Sequence, residues 1–294
     1  MSLNKPIYKL VDWLEPENLN WDWLCENPNA IQLFRENPTK INWNLLSYNI
    51  NAIELLEANP DKINWIGISS NENAIKLLKE NPDKINWHSL SRNPGAIKLL
   101  KENPDKIKWY YLTTNRCAIE ILKDNPDKIE WSFISSNSNI LEIYKLFPDK
   151  INWSVLSANP NAIKVLEENR DKIDWELLSK NPNAIKILEE NRDKINWKNL
   201  SFNPNAIHLL EKNLDKIDWC RLAMNPNAIK IIEKNLDKID LDLLSFNPSI
   251  FQLDYEAMKK NNQALEEELI KEVMKPSRVF KDPNYDYIEE LFGD

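Results

Sequence analysis

Few residues in this 294-residue chain are of types that make or break bonds, and those few are scattered. The two histidines, His88 and His208, stand 120 positions apart, too remote in sequence to announce a shared proton-transfer or zinc site. Cys25, Cys117 and Cys220 are each about a hundred residues from the next, so no pair has metal-ligand or dithiol spacing. The three glycines, at 67, 95 and 293, leave no phosphate-cradling loop, and no nucleophile motif of the strand-turn-helix kind occurs. No catalytic residue, metal or cofactor is expected. The one charged pattern worth weighing is a lysine ladder: Lys40, Lys62, Lys84, Lys106, Lys128, Lys150, Lys172, Lys194, Lys216 and Lys238. A stripe of this kind suits a phosphate backbone. Aspartate precedes most of these lysines, however, and the chain carries a net charge of −8 with a pI near 5.1. A structural, solvated stripe is the better reading, and nucleic acid is an unfavoured partner.

The lysines are spaced 22 apart because everything else is. Trp21, Trp43, Trp65, Trp87, Trp109, Trp131, Trp153, Trp175, Trp197 and Trp219 keep the same interval, and Leu241 takes the next slot. A branched aliphatic sits two residues before each of these positions, and an asparagine six residues after, from Asn27 to Asn247. Such a strict internal period is the signature of stacked repeats. One unit, WELLSKNPNAIKILEENRDKIN from Trp175, gives the local reading. Asn181-Pro182 reads as a helix start, with asparagine capping and proline tolerated in the first turn. Ala184, Ile185, Ile187 and Leu188 then share one face, against Lys186, Glu189 and Glu190. After an Asn-Pro-Asp or Asn-Arg-Asp break, a shorter helix opens on tryptophan, either α or a 3-10 turn.

The fold class is therefore all-α: a solenoid of about eleven two-helix repeats with capped ends. Its expected divisions are an N-terminal cap (1–20), the repeats (21–249), and a C-terminal capping helix with an acidic tail (250–294). Neither short helix is stable alone, so stacking must supply the core. Helices packed at usual distances make eleven units a rod or superhelix about 90–110 Å long. The tryptophans read as its buried spine, each removing enough surface to contribute about 4–6 kcal/mol before entropy. Two units depart from the rule. In the third, Ile66-Gly67-Ile68 is expected to weaken the short helix; in the sixth, Ser138, Asn139 and Ile140 replace Pro-Asn-Ala, and Phe147 replaces asparagine. From Tyr255 to Met274 the chain reads as one longer charged helix. The tail 281–294, acidic and aromatic, reads either as part of the cap or as a docking peptide. No apolar run in the sequence is long enough for a signal peptide or a membrane span.

The tandem Asn-Pro-Asn-Ala-Ile, Leu-Leu, Asn-Pro-Asp-Lys-Ile and Trp-x-x-Leu-Ser, from Trp21 to about Pro248, resembles a repeat family abundant in nucleocytoplasmic large DNA viruses, the mimivirus-like giant viruses among them. The opening Asp12-Trp13-Leu14 with Leu19-Asn20-Trp21 is similar too. So is the tail from Glu272 to Val279, although that family more often has histidine before Pro276. The resemblance implies a viral origin and a location in the host cytoplasm or viral factory, with packaging in a virion left open. It brings no catalytic residue.

Where the frame is constant, specificity belongs to the positions that vary: one, two and five residues after each tryptophan. The five-after row includes Tyr48, Arg92, Phe202, Met224 and Phe246. Mid-chain it joins His88, Tyr110, Tyr111 and Phe133, and towards the C-terminus Arg221. Aromatic residues and arginine are the usual anchors of protein interfaces. The expected function is a protein-binding scaffold, with these ten residues as the candidate contact surface. Self-association as a structural component is the alternative.

Overall fold

The computed structural model describes residues 6–273. The acidic tail and all but the first two residues of the segment from Glu272 to Val279 lie outside the described residues. The chain divides into two compact units, Leu10–Phe251 and the pair of segments Met1–Lys9 and Gln252–Asp294.

The larger unit is the all-α solenoid of 22-residue repeats. In each repeat a short helix opens on tryptophan, as in Trp175–Leu178, and a second opens on isoleucine, as in Ile185–Glu190. The tryptophan helix is α rather than 3-10. The 3-10 turns fall elsewhere: at Asn-Pro-Asp-Lys in most repeats, for example Pro82–Lys84, and in some at Asn-Pro-x-Ala, for example Pro94–Ala96. The isoleucine helix thus starts later than the asparagine–proline signal suggests. Ala184, not Asn181, is its N-cap residue.

The asparagines found every 22 residues are fully engaged. Asn181 Oδ1 accepts from Asn183 N–H (3.0 Å) to close its own turn. Its Nδ2 donates to Ser157 O (3.0 Å) and Asn159 O (2.9 Å) of the preceding repeat. Asn183 Nδ2 adds a bond to Pro160 O (3.0 Å), and Ser157 Oγ accepts from Asp174 N–H (3.0 Å). Buried carbonyls at the tight turns are costly if left unpaired, so asparagine acts as the bolt between repeats as well as the turn closer.

The same bolt joins the two ends of the array. Asn27 Nδ2 donates to Ser245 O and Asn247 O, both at 3.0 Å, and Asn29 Nδ2 to Pro248 O at 3.0 Å. Asn20 N–H donates to Ser245 Oγ (2.9 Å), and Val11 N–H to Ile250 O (2.9 Å). Repeat 11 stands to repeat 1 as every repeat stands to its successor. The array is a closed ring, not the open rod or superhelix expected from the sequence, and each repeat turns the chain by about 33°. The length estimated for a rod becomes a circumference, giving a mean diameter of about 30 Å. The unchanged bond lengths at the seam show that eleven repeats close without distortion.

The core also differs from the tryptophan spine expected. The fully buried row consists of Leu24, Leu46, Ile68, Leu90 and their equivalents, the alanines from Ala30 to Ala228, and Phe34, Leu56, Leu78 and their successors. The tryptophans are half-buried. They lie over this core, and nine of the ten have a lysine ammonium above the ring: Lys62 over Trp43 (4.7 Å from the ring centre), Lys194 over Trp175 (4.3 Å), and seven further pairs. An ammonium over an indole face is attracted by the ring quadrupole, so the lysine ladder is a lid on the tryptophan ladder. At Trp131 the ring that packs is Phe147, at 5.3 Å.

The two irregular repeats are accommodated differently from expectation. Trp65–Ser70 is among the longest tryptophan helices, so Gly67 does not weaken it. A Cβ at Gly67 would lie 2.9 Å from Ser47 Cβ, which makes glycine the residue that permits close approach to repeat 2. In the sixth repeat Ile140 fills the buried alanine position, and its helix starts one residue early as Ile140–Leu146.

Strand β1 (Tyr8–Leu10) pairs with β2 (Phe251–Leu253), and within the smaller unit Asp254 N–H donates to Ile7 O at 2.8 Å. Asp254, where the repeats have an aliphatic, accepts from Ala257 N–H (2.9 Å) and caps the long helix Tyr255–Val273. No helix among the described residues is long and apolar enough to cross a membrane.

Candidate functional site

A tryptophan helix of four to six residues has one face for the core and one left over. Residues three and four after tryptophan are buried, so residues one and five, on the opposite side, are exposed or half-exposed in every repeat. The closest approaches between like helices of successive repeats fall mainly in the tryptophan row, with Trp65–Ser70 and Trp87–Arg92 packed most tightly. In a closed ring the row with the shorter spacing lies at smaller radius. The variable strip therefore lines the inner circumference.

Five of the ten candidate residues meet in one cluster across repeats 4 to 6. Tyr110 packs edge-on against Tyr111 (ring centres 5.1 Å apart) and Phe133 (5.1 Å), and His88 against Tyr111 (5.5 Å). The Arg92 guanidinium lies 5.3 Å from the Tyr111 ring centre, a cation–π contact. Tyr110 and Phe133 remain 52% and 39% exposed, far more than core aromatics tolerate without purpose. Serine and threonine fill the positions between them: Ser89, Thr114, Ser132 and Ser136.

The other five candidates do not form one patch. Phe246 is half-buried and stacks on Trp23 at 4.8 Å across the seam. Arg221 is held locally, donating from Nη1 to Asn199 Oδ1 (2.9 Å) and lying 3.8 Å from Asp218. Met224 is half-buried, whereas Tyr48 and Phe202 stand exposed. Ring closure still relates them. Phe202, Met224, Phe246, Trp23 and Tyr48 occupy consecutive repeats 9, 10, 11, 1 and 2, so the two ends of the sequence form one apolar arc. Trp23 and Ile66 (52% exposed) belong to that arc and were not singled out from the sequence. Trp23 is off the 22-residue ladder, and Ile66 drew notice only as a helix-weakening neighbour of Gly67; the varying register itself contained both.

His208 Nε2 lies 3.0 Å from Glu189 on the outer helices, remote in the fold from the His88 cluster. Among the described residues no group of three His, Cys, Asp or Glu side chains is placed to hold a metal. Cys25 is buried in the register that serine holds in most repeats, and burial pushes its thiol up to about 11 despite the Asn42 N–H directed at it. A thiol so protonated is a packing group rather than a nucleophile. One shallow groove of about 640 Å³ is lined by Asp22, Lys40, Asn42, Trp43, Asn44, Asp61 and Lys62, parts of the frame.

Fold and strip together define a class: a closed ring of helical repeats with a constant frame and a variable inner face. No protein-family model, curated protein or solved structure matches the chain.

Proposed function

We propose that the ring is a non-enzymatic scaffold whose inner strip recognises a protein partner. The observation that carries this reading is the Tyr110, Tyr111 and Phe133 cluster, with Tyr110 and Phe133 exposed on a frame that has no structural need of them. Rigid aromatics interspersed with serine and threonine are the chemistry of adaptable recognition surfaces, supplying large contact area at low entropic cost. The seating of each ring on a short bolted helix pre-organises the surface, which reduces the cost of binding. The resemblance to giant-virus repeat proteins supports a viral product acting on a host or viral protein in the host cytoplasm or viral factory.

The test is capture from host lysate by the tagged chain beside Tyr110→Ser/Phe133→Ser/Phe202→Ser, read by mass spectrometry. These three sites are exposed and leave the seam contact of Phe246 intact. A control, Lys98→Ser/Lys186→Ser, alters the outer helices. A protein lost with the triple variant and kept with the control supports recognition by the strip. Equal capture by all three chains refutes it.

A further inference from the structure

The frame gives way at one place. The residue before each tryptophan, and before Leu241, caps the helix that follows, and in nine of the eleven repeats its Asn or Asp side chain accepts a backbone N–H. The two exceptions are Lys108 and Glu130, whose side chains cap nothing. They precede the helices that carry Tyr110, Tyr111 and Phe133. A second frame residue is missing beside them. Asn183 and its equivalents donate to a carbonyl of the preceding repeat, but Gly95 and Cys117 stand at that position in repeats 4 and 5, as Ser249 does next to the seam. Chains break their own local rules mainly where a site needs other side chains.

Positive charge gathers at this place. In repeats 3 to 7 the positions one, two and five after tryptophan hold no carboxylate, and Arg92 is their one permanent charge. Four of the six arginines among the described residues meet a carboxylate: Arg35, Arg116, Arg170 and Arg221. Arg92 meets none among the described residues. Its guanidinium lies over the Tyr111 ring and the side chain is exposed, so its N–H groups remain for a ligand. Lys108 adds a second cation. Asn42, at the register of Lys108, donates to Asp22, at the register of His88, at 3.0 Å, which sets Lys108 beside His88. On the other flank the Glu130 carboxylate is taken up by Ser132 Oγ at 2.8 Å. A planar guanidinium without a partner fits a carboxylate, and the exposed rings of Tyr110 and Phe133 next to it fit an apolar side chain. Two permanent cations on a chain of net charge −8 match one or two carboxylates, whereas a nucleic acid requires a continuous basic track. Resting on the reading of the strip as a recognition surface, we propose that this cluster takes an acidic segment of a protein partner. One carboxylate lies against Arg92 and Lys108, and an adjacent apolar side chain lies on Tyr110 and Phe133.

Selection of random displayed heptapeptides on the full chain reads this preference directly. The wild type is expected to enrich peptides with Asp or Glu beside an aromatic or aliphatic residue. The most enriched peptide is then synthesised and its Kd measured by fluorescence anisotropy. Arg92→Ala should raise that Kd about tenfold, and Lys98→Ser/Lys186→Ser on the outer helices should leave it unchanged. Lys108→Asn is the sharper variant, because it restores the missing cap. It should raise the urea midpoint while weakening the peptide about threefold, so its loss of binding is not a folding defect. Enrichment of neutral or basic peptides, or of none, overturns the proposal. Lysate capture that depends on the strip would then leave the recognition surface itself standing. An acidic peptide whose Kd is indifferent to Arg92→Ala also overturns it. So does a Lys108→Asn chain that is no more stable than wild type or binds the peptide as tightly, or a thymidine oligonucleotide that binds more tightly than the peptide.

Discussion

If the ring is closed, Asn27 does the same work as any asparagine inside the array, and its replacement should cost as much. Asn27→Ala removes the two seam bonds to Ser245 O and Asn247 O and the local bond from Asn29 N–H. Asn181→Ala removes the equivalent three bonds at an internal joint. At about 1 kcal/mol per bond, with both asparagines buried, each substitution costs about 3 kcal/mol. In an open rod Asn27 would have no neighbour on that side, and only the turn bond, about 1 kcal/mol, would be lost. The assay is urea unfolding of both variants against wild type, comparing midpoints and slopes. Equal losses near 3 kcal/mol are expected. A loss for Asn27→Ala close to 1 kcal/mol, with Asn181→Ala at its full value, would refute the seam.

Other consequences follow from single contacts. Cys25 has its thiol raised from 9.0 to about 11 in the folded chain, so the stability it contributes is complete below pH 9 and lost as pH rises from 9 to 11. Relative to wild type, Cys25→Ser should remove up to about 2 kcal/mol of alkaline destabilisation, read as the difference between the two urea-midpoint profiles over that window. Gly67→Ala gains helix propensity but drives a Cβ to 2.9 Å from Ser47 Cβ, and a net loss of about 1–2 kcal/mol is expected in thermal melts. Stabilisation by that variant would show that repeats 2 and 3 are not so closely packed. Lys194→Ala uncovers Trp175 and should cost about 0.5–1 kcal/mol while raising quencher access to indole fluorescence; unchanged stability and quenching would contradict the lid.

Much of this architecture is legible in the residues. The 22-residue interval, the amphipathic isoleucine helix, the turn-closing asparagines and the long helix after Asp254 follow from spacing and capping chemistry. Closure does not, because it depends on a small difference in packing distance between the inner and outer helix rows. No period encodes that difference. The tryptophans misled for a related reason: large apolar residues suggest a spine, yet here leucine and alanine fill the narrow core and indole lies across it beneath lysine. Of the candidate strip, the mid-chain cluster was visible as variable aromatics in adjacent repeats. The continuity of Phe202, Phe246, Trp23 and Tyr48 was hidden, since 225 residues separate Asn20 from Ser245 and only the seam makes them neighbours.

The most direct test of the ring is a distance between its first and last repeats. Spin labels at Asp22→Cys and Asp242→Cys, in a chain with Cys117 and Cys220 replaced by serine, occupy equivalent exposed sites in repeats 1 and 11. Electron–electron double resonance on this pair is compared with a control at Asp22→Cys and Asn44→Cys, equivalent sites in repeats 1 and 2. The closed ring predicts the same short distance for both pairs. A separation of about 80 Å or more for the first pair, with the control short, would mean an open rod and contradict the account.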